Sequence, residues 1–474
     1  MIFYAREMPS VSVNRTVDMC EGPLLKKIVF YTIPIILTGV LQLLFNAADL
    51  VVVGRYGSEF SVGAVGATGA IINLIVNLFI GLSVGAGVTV AHALGAGRED
   101  DVKKIIHTAI PTAIISGIVL TVVGVCCSGF FLRLMDTPKN LIGLSTVYMR
   151  IYFCGITSSM VYNFGSAILR AAGDTKGPLI YLSSAGVFNV VLNLIFVIVF
   201  DMDVAGVALA TAISQTLSAV LVVMALMRRK DACRLCLKEM KIYKNQLIRM
   251  VRIGLPAGIQ GSLFSISNVI IQSSVNSFGE IVVNGNSAAQ NIEGFVYTIM
   301  NSFHQTALNF TGKNHGARKY RRISRIMGIS LSLVFAAGLT FGNLAFAFGE
   351  KLLKIYLPDS PQSVAYGLIR LKFICVPYFI CGLMDVTTGV IRGMGASISP
   401  MIITVLGVCG MRILWIYTVF RIDRFHSLES LYVSYIISWS LAFLAELVAY
   451  FVIFKRIKNR CAEIKEQQAV EAEQ

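Results

Sequence analysis

The chain has 474 residues, of which 55% are hydrophobic and only 14% are charged, and its mean hydropathy is +0.72. Soluble domains carry about a quarter charged residues, so the composition excludes an ordinary soluble protein and indicates a polytopic membrane protein. The net charge of +15 would suggest a nucleic-acid partner in a soluble chain. Here the basic residues lie in loops between apolar runs, where they set membrane orientation, so the lipid bilayer and not nucleic acid is the predicted partner.

Twelve apolar segments follow a polar N-terminal tail, and each is long enough to cross a bilayer, several of them with tilt. The pattern predicts an all-α polytopic membrane protein with twelve transmembrane helices. The predicted segments are 26–53, 62–93, 105–132, 146–169, 178–200, 205–227, 247–277, 285–311, 326–349, 366–390, 399–420 and 431–454.

The longest connection is basic and divides the segments into two sets of six. The predicted organisation is a tail over 1–23, an N-lobe over 24–228, a linker over 229–245, a C-lobe over 246–455 and a tail over 456–474. We expect the second half of the linker to form an amphipathic helix on the membrane surface.

Lysine and arginine are distributed unevenly between the two sides of the predicted bundle. With the N-terminus inside, 30 of these residues fall in the tails and inner loops and 7 in the outer loops. Because positive residues favour the cytoplasmic side, both termini are predicted to be cytoplasmic, in a multi-pass protein of the plasma (inner) membrane.

The first segment contains an acid. It runs from Lys27 to Arg55, 28 residues, or about 42 Å as one helix, and Asp49 lies about 9 Å inside its far end. An ionised carboxylate at that depth is costly unless it faces water or has partners. One interpretation is a residue at the water interface beside Arg55. The other is a cation site in a transport pathway.

The sequence also repeats itself at an offset of 222 residues. Six spans per repeat is an even number, so the two lobes enter the membrane in the same orientation. A pseudo-twofold axis along the membrane normal should then relate them, with a substrate cleft between them. The matched pairs include Pro34 and Pro256, Asn46 and Asn268, Arg170 and Arg392, Gly173 and Gly395, and Pro178 and Pro400, with a one-residue slip at Gly95 and Gly316.

Several short motifs in this order resemble the MATE (multidrug and toxic compound extrusion) family of cation-coupled antiporters, from Glu21 through segment twelve. They are Ile33-Pro34 followed by Gln42, Asn46, Asp49 and Gly54-Arg55; Gly95-Ala96-Gly97-Arg98, echoed by Gly316-Ala317-Arg318; and Leu169-Arg170-Ala171-Ala172-Gly173-Asp174, echoed by Ile391-Arg392-Gly393-Met394-Gly395. The resemblance implies alternating access between two lobes and export of amphipathic, often cationic, small molecules, without a cofactor other than the coupling ion.

The resemblance also implies a cation-coupling site in the N-lobe. Asp49 occupies the family's first-helix acid, Asn189 and Asn193 match polar positions on helix five, and Thr211 matches one on helix six. Some members carry a second Asp where this chain has Asn193, so the coupling ion, H⁺ or Na⁺, stays open. Other members have a Glu on helix seven that is absent here, which argues against their C-lobe sodium site.

Further polar residues in the spans are candidates for the substrate cavity: Gln42, Asn46, Gln290, Glu293, His304, Asp385 and Arg412. Arg412 cannot lose its proton and needs an anion or water. We therefore predict that Arg412 pairs with Glu293 or Glu446 inside the C-lobe, with direct substrate contact as the alternative. For Asp385 the alternative to a cavity role is contact with interfacial water.

Enzymatic and metal-binding motifs are not evident. Cys233-x-x-Cys236 has metal-ligand spacing, but no second pair follows to complete a zinc site, so no metal is predicted. No phosphate-binding loop, nucleophile elbow or zinc-protease motif occurs in the sequence. The prediction is a transporter and not an enzyme.

The sequence therefore predicts a monomeric protein that exports amphipathic or cationic compounds by antiport with H⁺ or Na⁺. The alternative within the same larger superfamily is a lipid-linked oligosaccharide flippase, which should show a strongly basic cleft. Arg412 is the one basic residue that the sequence places deep in a span, which disfavours a flippase. A membrane-embedded enzyme and a channel are further alternatives that fit the residue pattern less well.

Overall fold

A computed structural model describes residues 16–58, 60–135, 137–358 and 360–473, with side chains to residue 459. The described residues form helices joined mostly by short turns. The N-lobe consists of six long helices: α1 Leu24–Tyr56, α2 Ser61–Gly95, α3 Glu99–Leu134, α4 Lys139–Ala171, α5 Lys176–Val199 and α6 Asp203–Met227. In this lobe α4 packs between α3 and α6 and also contacts α2.

The C-lobe repeats this plan with six more spans. They are α7 Lys244–Asn276, α8 Glu280–Gly316, α9 Tyr320–Ala347, α10 with its two parts Pro361–Cys375 and Tyr378–Gly393, α11 Ile398–Arg421 and α12 Leu428–Glu473. A short helix, Gly349–Tyr356, precedes α10. The two parts of α10 are bent by 43° at Pro377, which lacks the N–H and the space that a continuous helix needs.

Length and apolar composition identify most of these helices as membrane spans. Within the described residues, ten helices are long and apolar enough to cross a bilayer, and the bent α10 makes an eleventh. The remaining long helix, α8, carries many amide side chains and is the most polar of the twelve. The predicted all-α polytopic fold with two six-helix lobes is confirmed.

Backbone conformations support the internal repeat. Gly173 and Gly395, which the offset of 222 pairs, both have left-handed φ angles, +99° and +89°. Gly97 and Arg318 follow the paired Gly95 and Gly316, and they are left-handed as well, at +68° and +55°. Equivalent turns in the two lobes are thus built in the same way, although one of them uses a non-glycine residue.

The two lobes meet closely on the side of the bundle where α1 begins and where α2 and α8 end, here called the basic side. A Cβ atom on Gly81 of α2 would overlap the backbone of Gly254 and Gly258 of α7. These glycines therefore permit backbone contact between the lobes. On the same side, Thr32 of α1 and Thr306 of α8 share a hydrogen bond of 2.9 Å.

The linker does not form the expected amphipathic helix. Its second half contains one short 3₁₀ turn, Leu237–Glu239, and then runs extended into α7. Side chains of α3 take up its backbone donors: the Cys236 N–H donates to His107 Nε2 at 3.1 Å and the Tyr243 N–H to Thr108 Oγ1 at 3.1 Å. Backbone groups that are satisfied in this way do not need a helical ladder.

Candidate functional site

Asp49 lies in α1, far from the basic side, and its carboxylate is held by side chains of α5 and α6. Asn193 Nδ2 donates to Asp49 Oδ1 at 2.5 Å, and Thr211 Oγ1 donates to Asp49 Oδ2 at 3.3 Å. Asp49 is only 9% exposed to solvent. The acid is therefore enclosed by protein, which favours the interpretation as a cation site over a residue that faces water at the interface.

Asn189 completes a ring of four polar side chains. It stands four residues before Asn193 on the same face of α5. Asn189 Oδ1 accepts a hydrogen bond from Asn193 Nδ2 at 3.3 Å, and Asn189 Nδ2 donates to Thr211 Oγ1 at 3.3 Å. The four residues that the resemblance assigned to one site are thus in direct mutual contact in the structure, here called the Asp49 ring.

The Asp49 ring has no positive charge of its own. Among the described residues, no Lys, Arg or His forms an ion pair with Asp49. A buried carboxylate without a cationic partner is costly. The ring does contain oxygen atoms for a hard cation, including the buried Asn193 Oδ1, which has no hydrogen-bond partner in the described structure. Its chemistry suits a proton or a small metal cation.

A second polar region is a cavity of about 740 Å³ between the lobes, with walls from α1, α2, α4, α7, α8 and α10 to α12. Its lining combines amides with aromatic rings, which is usual for sites that bind organic molecules. A stripe along one face of α8 forms part of the wall: Gln290, Glu293, Tyr297, Asn301 and His304. The stripe explains why α8 is too polar to be recognised as a span by hydropathy.

Most of the predicted cavity residues line this cavity, but not all of them. Those in the lining are Gln42, Gln290, Glu293, His304 and Asp385. Asn46 is exposed one turn further along α1, and Arg412 is buried outside the lining. Asp385 is half-buried in this lining, and its backbone oxygen accepts a hydrogen bond from His304 Nδ1 at 2.6 Å.

Glu293 has a charged partner that the sequence did not suggest. Arg370 of α10 binds Glu293 Oε2 through Nη2 at 2.6 Å and through Nε at 3.0 Å. Arg370 Nη1 also donates to Asn286 Oδ1 at 2.8 Å, and Tyr378 donates its hydroxyl to Glu293 Oε1 at 3.3 Å. Arg370 is only 3% exposed and Glu293 is half-buried, so this is a largely buried, nearly fully bonded ion pair in the cavity wall.

The prediction that Arg412 pairs with an acid is wrong. Arg412 is fully buried, and its Nε donates to Ser438 Oγ at 3.1 Å, while Nη1 and Nη2 have no partner in the described structure. Its guanidinium carbon lies 3.9 Å from the ring centroid of Tyr435, so the cation is stabilised by the aromatic face instead. Glu446, the other expected partner, accepts from Thr388 at 2.6 Å and Thr404 at 3.3 Å.

The cavity also contains more basic residues than the sequence indicated. Arg170, Arg370 and Arg392 all belong to its lining. Arg392 Nη2 donates to Gln260 Oε1 at 2.7 Å, and among described residues neither Arg392 nor its repeat partner Arg170 forms an ion pair. The cavity is therefore more basic than the sequence indicated, because Arg170, Arg370 and Arg392 belong to its lining whereas the deeply buried Arg412 does not.

Two six-helix lobes, a cavity between them and an isolated acid in one lobe define a polytopic membrane transporter. A family model described as MatE matches residues 34–195 and 256–418, more than half of the chain. The matched segments begin 222 residues apart, which is the offset of the internal repeat. The chain therefore belongs to the MATE family, whose members are transporters and not enzymes.

Similar proteins cover most of the chain. It is 28% identical to the "Probable multidrug resistance protein YpnP" of Bacillus subtilis, over 82% of this chain and 87% of that protein. It is 25% identical to the "Probable multidrug resistance protein NorM" of Thermotoga maritima, over 82% and 84%. It is 18% identical to the "Multidrug export protein MepA" of Staphylococcus saprophyticus, over 94% and 98%.

Solved structures share the fold. A transporter of the MOP superfamily from Pyrococcus furiosus superposes with a TM-score of 0.87 at 20% identity, over 93% of this chain and 98% of that chain. An outward-facing multidrug resistance MATE family transporter gives a TM-score of 0.86 at 20% identity, over 94% and 99%. At this level of identity the likeness establishes the fold alone.

Sequence reasoning named Gln290, Glu293 and His304 as cavity candidates but missed Tyr297 and Asn301, for which a signal was present. The polar residues of α8 are three or four positions apart, from Gln290 through Glu293, Tyr297 and Asn301 to His304. This spacing places them on one helical face. A polar stripe on an otherwise apolar span indicates a helix that faces a cavity. No comparable local signal exists for Arg370, whose partner is 77 residues away.

Proposed function

We propose that this chain exports amphipathic small molecules, including cationic ones, across the plasma membrane in exchange for protons, with both termini cytoplasmic. The proposal is supported by membership of the MATE family and by relatives that are named multidrug resistance and multidrug export proteins. The observation that carries it is the Asp49 ring, in which a buried carboxylate has only neutral hydrogen-bond donors.

The proposed coupling route runs along α1. Gln42 lines the central cavity, and Asp49 lies seven residues, about 10 Å, further along the same helix. A cation that binds at Asp49 neutralises the ring and changes how α1 packs against α5 and α6. Because α1 also contacts α8 of the other lobe through Thr32 and Thr306, such a change alters both the cavity wall and the contact between lobes.

We favour a proton over a sodium ion as the coupling ion. Asn193 directs its amide nitrogen, not its oxygen, toward Asp49. Sodium would need that amide to turn so that Asn193 Oδ1 joins the ligands, whereas protonation of one carboxylate oxygen requires no additional ligand. A transport assay with imposed pH and Na⁺ gradients distinguishes coupling to protons from coupling to sodium ions.

The substrate preference follows from the cavity wall. Tyr297, Tyr378, Tyr435 and Trp439 supply aromatic faces, on which flat or cationic groups bind well. The positive charge of Arg370 is already neutralised by Glu293. Ten Asn and Gln side chains also belong to the lining, and amides accept and donate hydrogen bonds without requiring one substrate charge.

A second candidate function rests on Arg170 and Arg392. Both line the cavity without an ion pair to a described acid, and arginine recognises phosphate well. A lipid carrier with an anionic headgroup is therefore the alternative substrate. It would require the lipid tail to leave the cavity between helices.

The test is transport by the purified chain in proteoliposomes with an imposed pH gradient or an imposed Na⁺ gradient. Substrates are a panel of cationic dyes, neutral dyes and a short-chain lipid pyrophosphate. We expect gradient-dependent movement of cationic and neutral dyes, driven by the pH gradient. Movement of the lipid pyrophosphate alone would replace the drug-export proposal with the flippase. Drive by Na⁺ without a pH gradient would overturn the choice of ion.

A further inference from the structure

The linker between the lobes holds a cysteine motif that the transport site does not use. Cys233-x-x-Cys236 lacked a second ligand pair in the sequence. In the structure, His107 of α3, 129 residues from Cys236, completes a cluster together with Glu239 of the linker. One possible ligand atom from each of His107, Cys236 and Glu239 lies within 4.8 Å of the other two.

His107 is oriented as a metal ligand usually is. The residue is 3% exposed, and its Nδ1 bonds the backbone oxygen of Lys103 at 2.7 Å, so Nδ1 carries the proton. The lone pair of Nε2 then faces the linker, where it accepts the Cys236 N–H at 3.1 Å and lies 3.9 Å from Glu239 Oε2. In metal-binding histidines, the N–H of the ring nitrogen that does not bind the metal commonly donates to a carbonyl oxygen.

We propose that His107 Nε2, Cys236 Sγ and the Glu239 carboxylate bind one Zn²⁺ ion, with water in the fourth position. Nitrogen, thiolate and carboxylate are the ligands that Zn²⁺ takes in proteins, whereas Mg²⁺ and Ca²⁺ require oxygen ligands. On binding, the Cys236 thiol releases its proton to solvent, and the Cys236 N–H gives up its bond to His107.

Cys233 stays outside the site. It is fully buried and belongs to the apolar core of the N-lobe, whereas Cys236 is partly exposed at the surface of the linker. The two cysteines of the motif therefore have different surroundings, and the site draws one of its ligands from α3 in place of a second cysteine. This differs from the absence of a metal site that the sequence alone predicted.

The site would fasten the linker to the N-lobe. The linker is already attached to α3 at Thr108, which accepts from the Tyr243 N–H. A metal at the 3₁₀ turn Leu237–Glu239 replaces the single hydrogen bond from the Cys236 N–H to His107 by metal bonds to His107, Cys236 and Glu239. This part of the linker then separates from α3 less readily during a movement between the lobes.

The test measures Zn²⁺ binding by the full chain in detergent, after removal of any affinity tag, by competition with a chromophoric chelator. We expect one tight site per chain that millimolar Mg²⁺ does not displace. His107→Gln and Cys236→Ser should each weaken binding by at least about 10- to 100-fold, the loss that follows even when an outer partner of a metal ligand is removed. Matched controls are Cys127→Ser and His426→Gln, which should bind as the parent does.

Glu239→Gln provides a variant that should fold as the parent does, because Glu239 is exposed. It should weaken Zn²⁺ binding and leave the elution profile of the protein unchanged. Trypsin cleavage after Arg234 and Lys238 gives an independent readout: Zn²⁺ should slow it in the parent and not in His107→Gln. Equal Zn²⁺ affinity in the parent and all three ligand variants, or no tight binding to the parent, would overturn the proposal.

Discussion

Asp49 in the N-lobe is a buried carboxylate and Glu293 in the C-lobe a half-buried one, both on membrane-spanning helices, but their partners differ in charge. Asp49 is held by Asn193 and Thr211, which are neutral. Glu293 is held by Arg370 in a two-point ion pair. The comparison separates two roles of an acid in a membrane protein. An acid without a cationic partner is stabilised when it binds a cation, whereas an acid in an ion pair stabilises the wall of the cavity.

The same contrast occurs between two arginines of the C-lobe. Arg370 has an acid within 2.6 Å, while Arg412 has one hydrogen bond and a tyrosine face. Removing one member of an ion pair leaves the other charge without a partner, whereas removing an unpaired charge leaves no charge behind. The same substitution should therefore lower the folded yield much more at Arg370 than at Arg412.

The largest effect is expected for Arg370→Met. It leaves the largely enclosed Glu293 carboxylate without its cation, and the loss of one partner of such a pair costs up to roughly 3–5 kcal/mol. Folded yield, measured by fluorescence-detected gel filtration, should fall sharply. The double variant Arg370→Met with Glu293→Gln removes both charges and should recover much of the yield. A double variant as poor as the single one would show that the ion pair is not the reason.

A shift in pH dependence is expected for Asn193→Asp. It places a second carboxylate beside Asp49, and two acids in one site hold a proton more tightly than one. Because the proton is then kept to higher pH, the optimum of efflux should move upward by at least about one pH unit, or about 1.4 kcal/mol. Efflux rates against pH are compared in the same vesicles, and identical profiles would separate residue 193 from the coupling site.

A smaller effect is expected for Thr211→Val, which keeps the shape of the side chain and removes its hydroxyl. The lost hydrogen bond to Asp49 is worth about 1 kcal/mol, so efflux should fall by about fivefold or less. Thr216→Val on the same helix is the matched control, because Thr216 is hydrogen-bonded to Ser158 and the Ala212 carbonyl and not to Asp49. Equal losses in the two variants would argue against a specific role for Thr211.

The smallest effect is expected for Arg412→Met. The substitution removes a buried cation that has no acid, and methionine fills a similar volume against Tyr435 and Trp439. Folded yield should stay within about twofold of the parent, a difference of about 0.4 kcal/mol or less. A loss as large as that of Arg370→Met would show that Arg412 has an essential partner.

The sequence was sufficient for the fold because the long apolar runs and the 222-residue offset each extend over the whole chain. The residues of the Asp49 ring were predicted through the resemblance, and the i, i+4 spacing of Asn189 and Asn193 independently placed these two on one face of α5. It was not sufficient for the partner of Arg412, since stacking on Tyr435 leaves no charge pattern. Arg370 was missed because it lies at the edge of an apolar run, and its contact with Glu293 depends on how α10 packs on α8.

The most direct test of the central claim, that Asp49 couples a cation gradient to transport, compares two modes of transport in one preparation of vesicles. One is dye accumulation driven by an imposed pH gradient, and the other is exchange of dye for dye without any gradient. For Asp49→Asn, which keeps the shape of the side chain and removes its charge, we predict normal folded yield, retained exchange and loss of gradient-driven accumulation. Full gradient-driven accumulation by a well-folded Asp49→Asn protein would contradict the account.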